Sequence, residues 1–180
     1  MEEAERQGRQ AVEIDPLSAG TQFNLGRVLF NEGKLDEADA AGRKMVELQP
    51  SASSSHRWQV QVAVQRGDGE RALREAQLEP DNNIRSFELA LAQYIRGDRK
   101  AADAALANLI ANSRDSLAYQ VAEVYAVRHE VDKAFEWLQI AFDNHDGGMP
   151  GLVVDPLLRG LRGDSRYKAM LEKVGLPVSL

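Results

Sequence analysis

An alanine returns every 34 residues at the start of this chain, and that beat limits what the chain can become. Ala4, Ala38 and Ala72 are spaced by 34, and Ala102 and Ala134 follow after steps of 30 and 32. Five residues before each later alanine stands Gly33, Gly67 or Gly97, with His129 in the last copy. Pro16, Pro50 and Pro80 close the first three copies. A fixed period in the thirties with two helices per unit marks a helical repeat array.

The stretch Thr21–Pro50 shows the unit. Phe23, Leu25, Val28, Leu29 and Phe30 form one apolar helical run, Asn31–Lys34 a turn, and Ala38, Ala41, Met45, Val46 and Leu48 a second run. A lone hairpin this short cannot bury its apolar stripe, so copies must cover one another. The small alanine allows close helix approach, glycine takes the positive φ of a tight turn, and proline stops the second helix. Acidic residues ahead of the second helices (Asp36, Glu37, Asp68, Asp98, Asp132) suit the positive end of the helix dipole.

These residues make the chain resemble the tetratricopeptide repeat family. Leu25-Gly26, Leu29, Ala38 and Pro50 carry the likeness in the best copy, Leu89-Ala90, Gly97 and Ala102 in the fourth, and Val121-Ala122, Tyr125, Ala134 and Ala141 in the fifth. The likeness covers Glu2–Asn144. It departs from the pattern at Gln22, where the family has an aromatic, and at Met45, where it has a small residue. The expected fold is all-α: a right-handed α-solenoid of antiparallel hairpins over residues 1–146, then a loop and a C-terminal capping helix pair over 147–180.

Two irregularities stand out. Ala72 to Pro80 spans 8 residues where the earlier copies span 12. The second helix there is expected to be one turn short, about 5.4 Å. Either a local notch or a loop at Glu79–Asn83 takes up the difference. In addition, Glu2–Asp15 reads as a second helix without its first, which leaves Val12 and Ile14 uncovered. The chain is therefore expected to be a piece of a longer protein, or to receive a first helix from elsewhere, and the open half-repeat leaves it prone to self-association.

Beyond Phe142 the period ends. Asp143–Gly151 reads as a loop, Asp155-Pro156 opens a short helix to Leu161, and Asp164 or Ser165 caps a last helix to Val174. Tyr167, Met170, Leu171 and Val174 share one face of that helix, and Gly175-Leu176-Pro177 stops it. This tail, with Asp132–Leu138, resembles the end of bacterial tetratricopeptide regulatory proteins. The likeness implies an alternative role as the regulatory or sensor part of a larger signalling enzyme or transcription regulator.

Composition narrows the function. With 43% hydrophobic and 28% charged residues, the chain suits a soluble domain, and it has no apolar stretch of membrane-spanning length. It has no cysteine, which fits a cytoplasmic setting. A net charge of −6 disfavours nucleic-acid binding. No phosphate loop, nucleophile elbow or paired-carboxylate motif occurs, so neither catalysis nor a cofactor is expected. Asp143, His145 and Asp146 sit in a glycine-rich loop that offers no preorganised metal site.

What remains is a protein-binding scaffold. In arrays of this kind the first helices line the concave side. Counting back 10, 6 and 3 from each turn residue selects Phe23, Arg27 and Phe30; Arg57, Gln61 and Val64; Phe87, Leu91 and Tyr94; and Tyr119, Glu123 and Ala126. One reading makes them a groove with aromatic anchors for a peptide or amphipathic helix. The other makes the same stripe core packing. Some family members grip acidic C-terminal tails with a clamp of Lys, Arg and Asn; Asn24, Arg27 and Arg57 fit it, but Phe87, Leu91, Tyr119 and Glu123 break it. The expected ligand is apolar or mixed.

Overall fold

The structure is a computed structural model that describes residues 2–178. Among them are ten α-helices and no strand. The first five are α1 (Glu2–Ile14), α2 (Ala19–Asn31), α3 (Leu35–Leu48), α4 (Arg57–Gln65) and α5 (Gly69–Leu78). The next five are α6 (Asn82–Arg96), α7 (Arg99–Ser113), α8 (Ala118–Val127), α9 (Val131–Asp143) and α10 (Ser165–Val174). The chain forms two compact units, Met1–Ala102 and Asp103–Leu180, with the division inside α7.

The repeat is visible in the backbone. Gly33, Gly67 and Gly97 have φ of 77°, 70° and 92°, and His129 reaches 60° in the glycine position. After each of them an amide returns to a carbonyl five residues back: Lys34 to Leu29, Asp68 to Ala63, Asp98 to Gln93 and Glu130 to Tyr125, all at 2.9 Å. This is the six-to-one bond of a Schellman stop, which satisfies carbonyls the ending helix leaves over. Four turns of one geometry set four hairpins. Ala38, Ala72, Ala102 and Ala134 are all fully buried. Asp68, Asp98 and Asp164 cap their helices by accepting first-turn amides.

In the first unit α1 packs on α2, α2 on α3, α3 on α4, α4 on α5 and α5 on α6, while α4 also touches both α2 and α6. No residue of α1 is buried, and Ile14 is 77% exposed. The hairpin of the third copy, α4–α5, is truncated. α4 has 9 residues and α5 has 10, against 13 and 14 in α2 and α3. In an antiparallel hairpin the start of α4 lies beside the finish of α5, so both helices are cut at the same end. The slack is not at Glu79–Asn83, since α6 begins at Asn82. It lies upstream, where residues 49–56 run as successive turns.

Glu79 holds that upstream segment. Its carboxylate is fully buried. Oε1 accepts from Ser54 N at 2.9 Å and Asp81 N at 3.1 Å, and Oε2 accepts from His56 N at 3.2 Å. Ser54 takes φ of 65°, which aims these amides at the acid. Arg85 clasps the other side, donating to the carbonyls of Glu79 and Pro80. A carboxylate at the start of α4 also faces the positive end of that helix.

In the second unit α8 and α9 form the hairpin, and α10 lies on α9. The expected helix from Pro156 to Leu161 is instead a set of turns ending in one 3-10 turn, Arg159–Leu161. Two constraints explain it. Asp155 accepts from Leu157 N only two residues on, and four consecutive residues, Asp155 to Leu158, are all buried, which one face of a helix cannot arrange. The tail is thus one α-helix with 3-10 turns, and the turns at Met149–Gly151 and Arg159–Leu161 touch α9 and α8.

Candidate functional site

The first helices of the first unit meet through a side chain the groove spacing did not select. Trp58, on α4, reaches back to α2. Its Nε1 donates to Phe23 O at 3.0 Å, and its ring lies 5.0 Å from Phe23 and 5.9 Å from Phe30. Gly26 makes the approach possible, since a methyl there would sit 2.6 Å from Trp58 Cδ1. The Arg57 guanidinium then lies 5.7 Å from the Trp58 ring and 5.5 Å from the Phe87 ring. Phe23, Trp58, Arg57 and Phe87 therefore form a continuous row across α2, α4 and α6. Aromatic and cation–π contacts of this kind fix a surface as well as stabilise it.

Burial sorts the groove residues predicted from spacing. Phe30, Gln61, Phe87 and Leu91 in the first unit are buried, as are Tyr119 and Glu123 in the second. Phe23, Arg57 and Tyr94 are half-buried, and Arg27 is exposed. Helical spacing identifies a shared face; it does not say whether a neighbouring helix already covers it. Arg27 meets Asn24 Oδ1 at a long 3.5 Å, so its guanidinium stays turned to solvent. Tyr94 lies under the Arg99 guanidinium, 3.6 Å from the ring centre.

Tyr119 is held by the chain's own tail. Its amide donates to Asp146 Oδ2 at 3.1 Å and its hydroxyl to Asp155 Oδ2 at 3.0 Å. Gly148 lies flat on the ring, where a methyl would come within 2.5 Å of Tyr119 Cγ. Asp146 also accepts from Gly148 N, so this acid of the glycine-rich loop is engaged in holding the backbone. Among the described residues no group of three or more His, Asp or Glu is placed to hold a metal ion.

Charge on the first unit is segregated by helix. The first helices α2, α4 and α6 carry Arg27, Arg57, Arg85 and Arg96, and their single acid, Glu88, is buried. The second helices hold the acids, as ion pairs between neighbours: Glu5 with Lys34 and Arg9, Asp39 with Arg71 and Arg43, Glu37 with Arg9. Lys34, then Arg9, hold the Glu5 carboxyl down at about 2. His56, bonded at 3.0 Å, lowers Glu75.

Solved structures include several with a similar fold. Crystal structures of MamA and YrrB superpose with TM-scores of 0.53 and 0.51 at 16% and 17% identity, covering 78% and 92% of this chain and 86% and 89% of theirs. PilF of Pseudomonas aeruginosa gives 0.56 at 19% identity, covering 96% of this chain and 83% of its own. YrrB is described as a TPR protein with an unusual peptide-binding site. The chain has the tetratricopeptide-repeat fold. No protein-family model matches the sequence, and no curated protein does. No described helix is long and apolar enough to cross a membrane.

Proposed function

We propose that the chain is a non-catalytic protein-interaction module. It holds a peptide or a partner's extended segment against the first-helix face of the first unit. The accessible edge formed by Phe23 and Arg27 carries this reading. Trp58 fixes Phe23 from behind, so the ring is presented without conformational cost, and Arg27 stands one turn on with its charge unmatched by any acid of α2. Phe23 supplies an apolar anchor and Arg27 a partner for a carboxylate or carbonyl, so the ligand is mixed in character. Arg57 and Tyr94, half-buried like Phe23, continue the face. The peptide-binding site described for YrrB supports the same use of the fold.

Selection of displayed random peptides against the full chain tests this. Enriched peptides should combine an apolar residue with an acidic or polar neighbour. Their affinity should fall at least about thirtyfold in Phe23→Ala, the loss of about 2 kcal/mol or more that marks a hot spot. Arg27→Ala should weaken them less, and more so at low salt. Enriched peptides that bind both variants as they bind the parent, with the fold intact, would refute the assignment.

A further inference from the structure

Nine residues ahead of the turn glycines Gly67 and Gly97, the first helices carry Trp58 on α4 and Glu88 on α6. Trp58 shows what the position does, because it locks α4 onto α2. Glu88 is the chemical opposite. It is 0% exposed, and neither Oε1 nor Oε2 has a hydrogen-bond partner among the described residues. A carboxylate left so would be a bare charge in the core, and such groups are kept neutral instead.

The surroundings reinforce this. α4 and α5 pack against α6, and α7 follows it across the Gly97 turn with Arg99 over Tyr94. From α5 comes Glu75, from the α5–α6 connection Glu79, from α4 Arg57 with His56 at its cap, and from α6 itself Arg85. Glu79 is engaged by three amides, and Arg85 by the carbonyls of the connection, so neither is spare to pair with Glu88. His56 is engaged with Glu75. Burial first, then the charge of Glu79, push the Glu88 carboxyl well above the usual range, with Arg57 pulling the other way and Glu75 adding to the push.

We propose that Glu88 is a proton-binding site that couples pH to the seating of α6 on α4. With its proton the acid packs as a neutral group. When the proton leaves, the new charge faces Glu79 and Glu75 across a dry contact, and α6 loosens from α4. The row from Trp58 through Arg57 to Phe87 crosses that contact, so the first unit relaxes as pH rises. The device stands whether or not a peptide binds at Phe23.

The sign follows from linkage. Folded protein binds one proton more than unfolded protein from the ordinary value of 4.5 up to the raised value of Glu88. Over that window the unfolding constant of the full chain should rise by up to about tenfold per pH unit relative to Glu88→Gln, then level off. Denaturant titrations of both proteins across pH 5 to 9 measure it. Parallel profiles would overturn the proposal. A second readout uses the unaltered protein with labelled glutamate side chains. The Glu88 carboxyl carbon should titrate well above free glutamate, and a midpoint in the ordinary range would overturn it.

Discussion

Replacing Glu79 should cost more than replacing any exposed acid of the chain, and the structure sets the scale. Three amides, Ser54, His56 and Asp81, end on its two oxygens at 2.9, 3.2 and 3.1 Å. In Glu79→Ala all three lose their acceptor. A buried donor left unsatisfied costs about 1–3 kcal/mol. Only the His56 amide belongs to a buried residue; Ser54 and Asp81 are half-buried, so water offsets much of their loss. Removing a buried charge also returns some desolvation energy. The net expectation is a destabilisation of about 3 kcal/mol, or roughly a hundredfold in the folding equilibrium. Glu79→Gln keeps one oxygen but turns an NH2 toward an amide, and should fall in between. Urea denaturation measures the stability change, and amide exchange at Ser54 and His56 reports on the loop itself. An alanine variant within about 1 kcal/mol of the parent, with unchanged exchange at those two amides, would refute the claim that this acid replaces the missing helical turn.

Gly26→Ala should destabilise by about 1–2 kcal/mol. The added methyl falls 2.6 Å from Trp58 Cδ1, which outweighs the better helix propensity of alanine. A shift in Trp58 fluorescence accompanies the loss, and a more stable variant with unshifted emission would contradict it. Asp164, the cap of α10, gives a pH prediction. The Arg166 side chain, then its backbone amide, hold the Asp164 carboxyl down to about 2, below the ordinary 3.8. Its contribution is therefore present above pH 4 and fades as pH falls toward about 2. A carboxyl-carbon titration with its midpoint near the ordinary value would remove that contribution.

The hairpins were legible because their signals are local and repeat. Ala38, Ala72, Ala102 and Ala134 announce close packing, and the structure buries all four. His129 could be assigned to a glycine position from the beat alone, and its φ of 60° agrees. The shortened α5 was legible from the distance between Ala72 and Pro80, but the matching loss in α4 was not, because a turn-rich segment such as Ser51–Ser55 carries no period to break. Ser54 and His56, which Glu79 holds, and Asp146 and Asp155, which hold Tyr119, lie 23 to 36 residues from them, and spacing within one helix holds no information about them. The groove set shows the same limit. Phe23 and Phe87 hold equivalent positions, yet Phe23 stands half-open on α2 while Phe87 is closed in beneath Arg57.

The carboxylate of Glu79 joins a segment ahead of α4 to the residue that follows α5, so the α4–α5 hairpin is fastened at its open end. Duplication or deletion of whole copies is how tandem arrays change length, and it works when every joint is interchangeable. This joint is keyed. Splicing another copy between Pro50 and Pro80 would strand either the acid or its amides, so growth and loss of modules should be tolerated on either side of the α4–α5 hairpin and selected against within it.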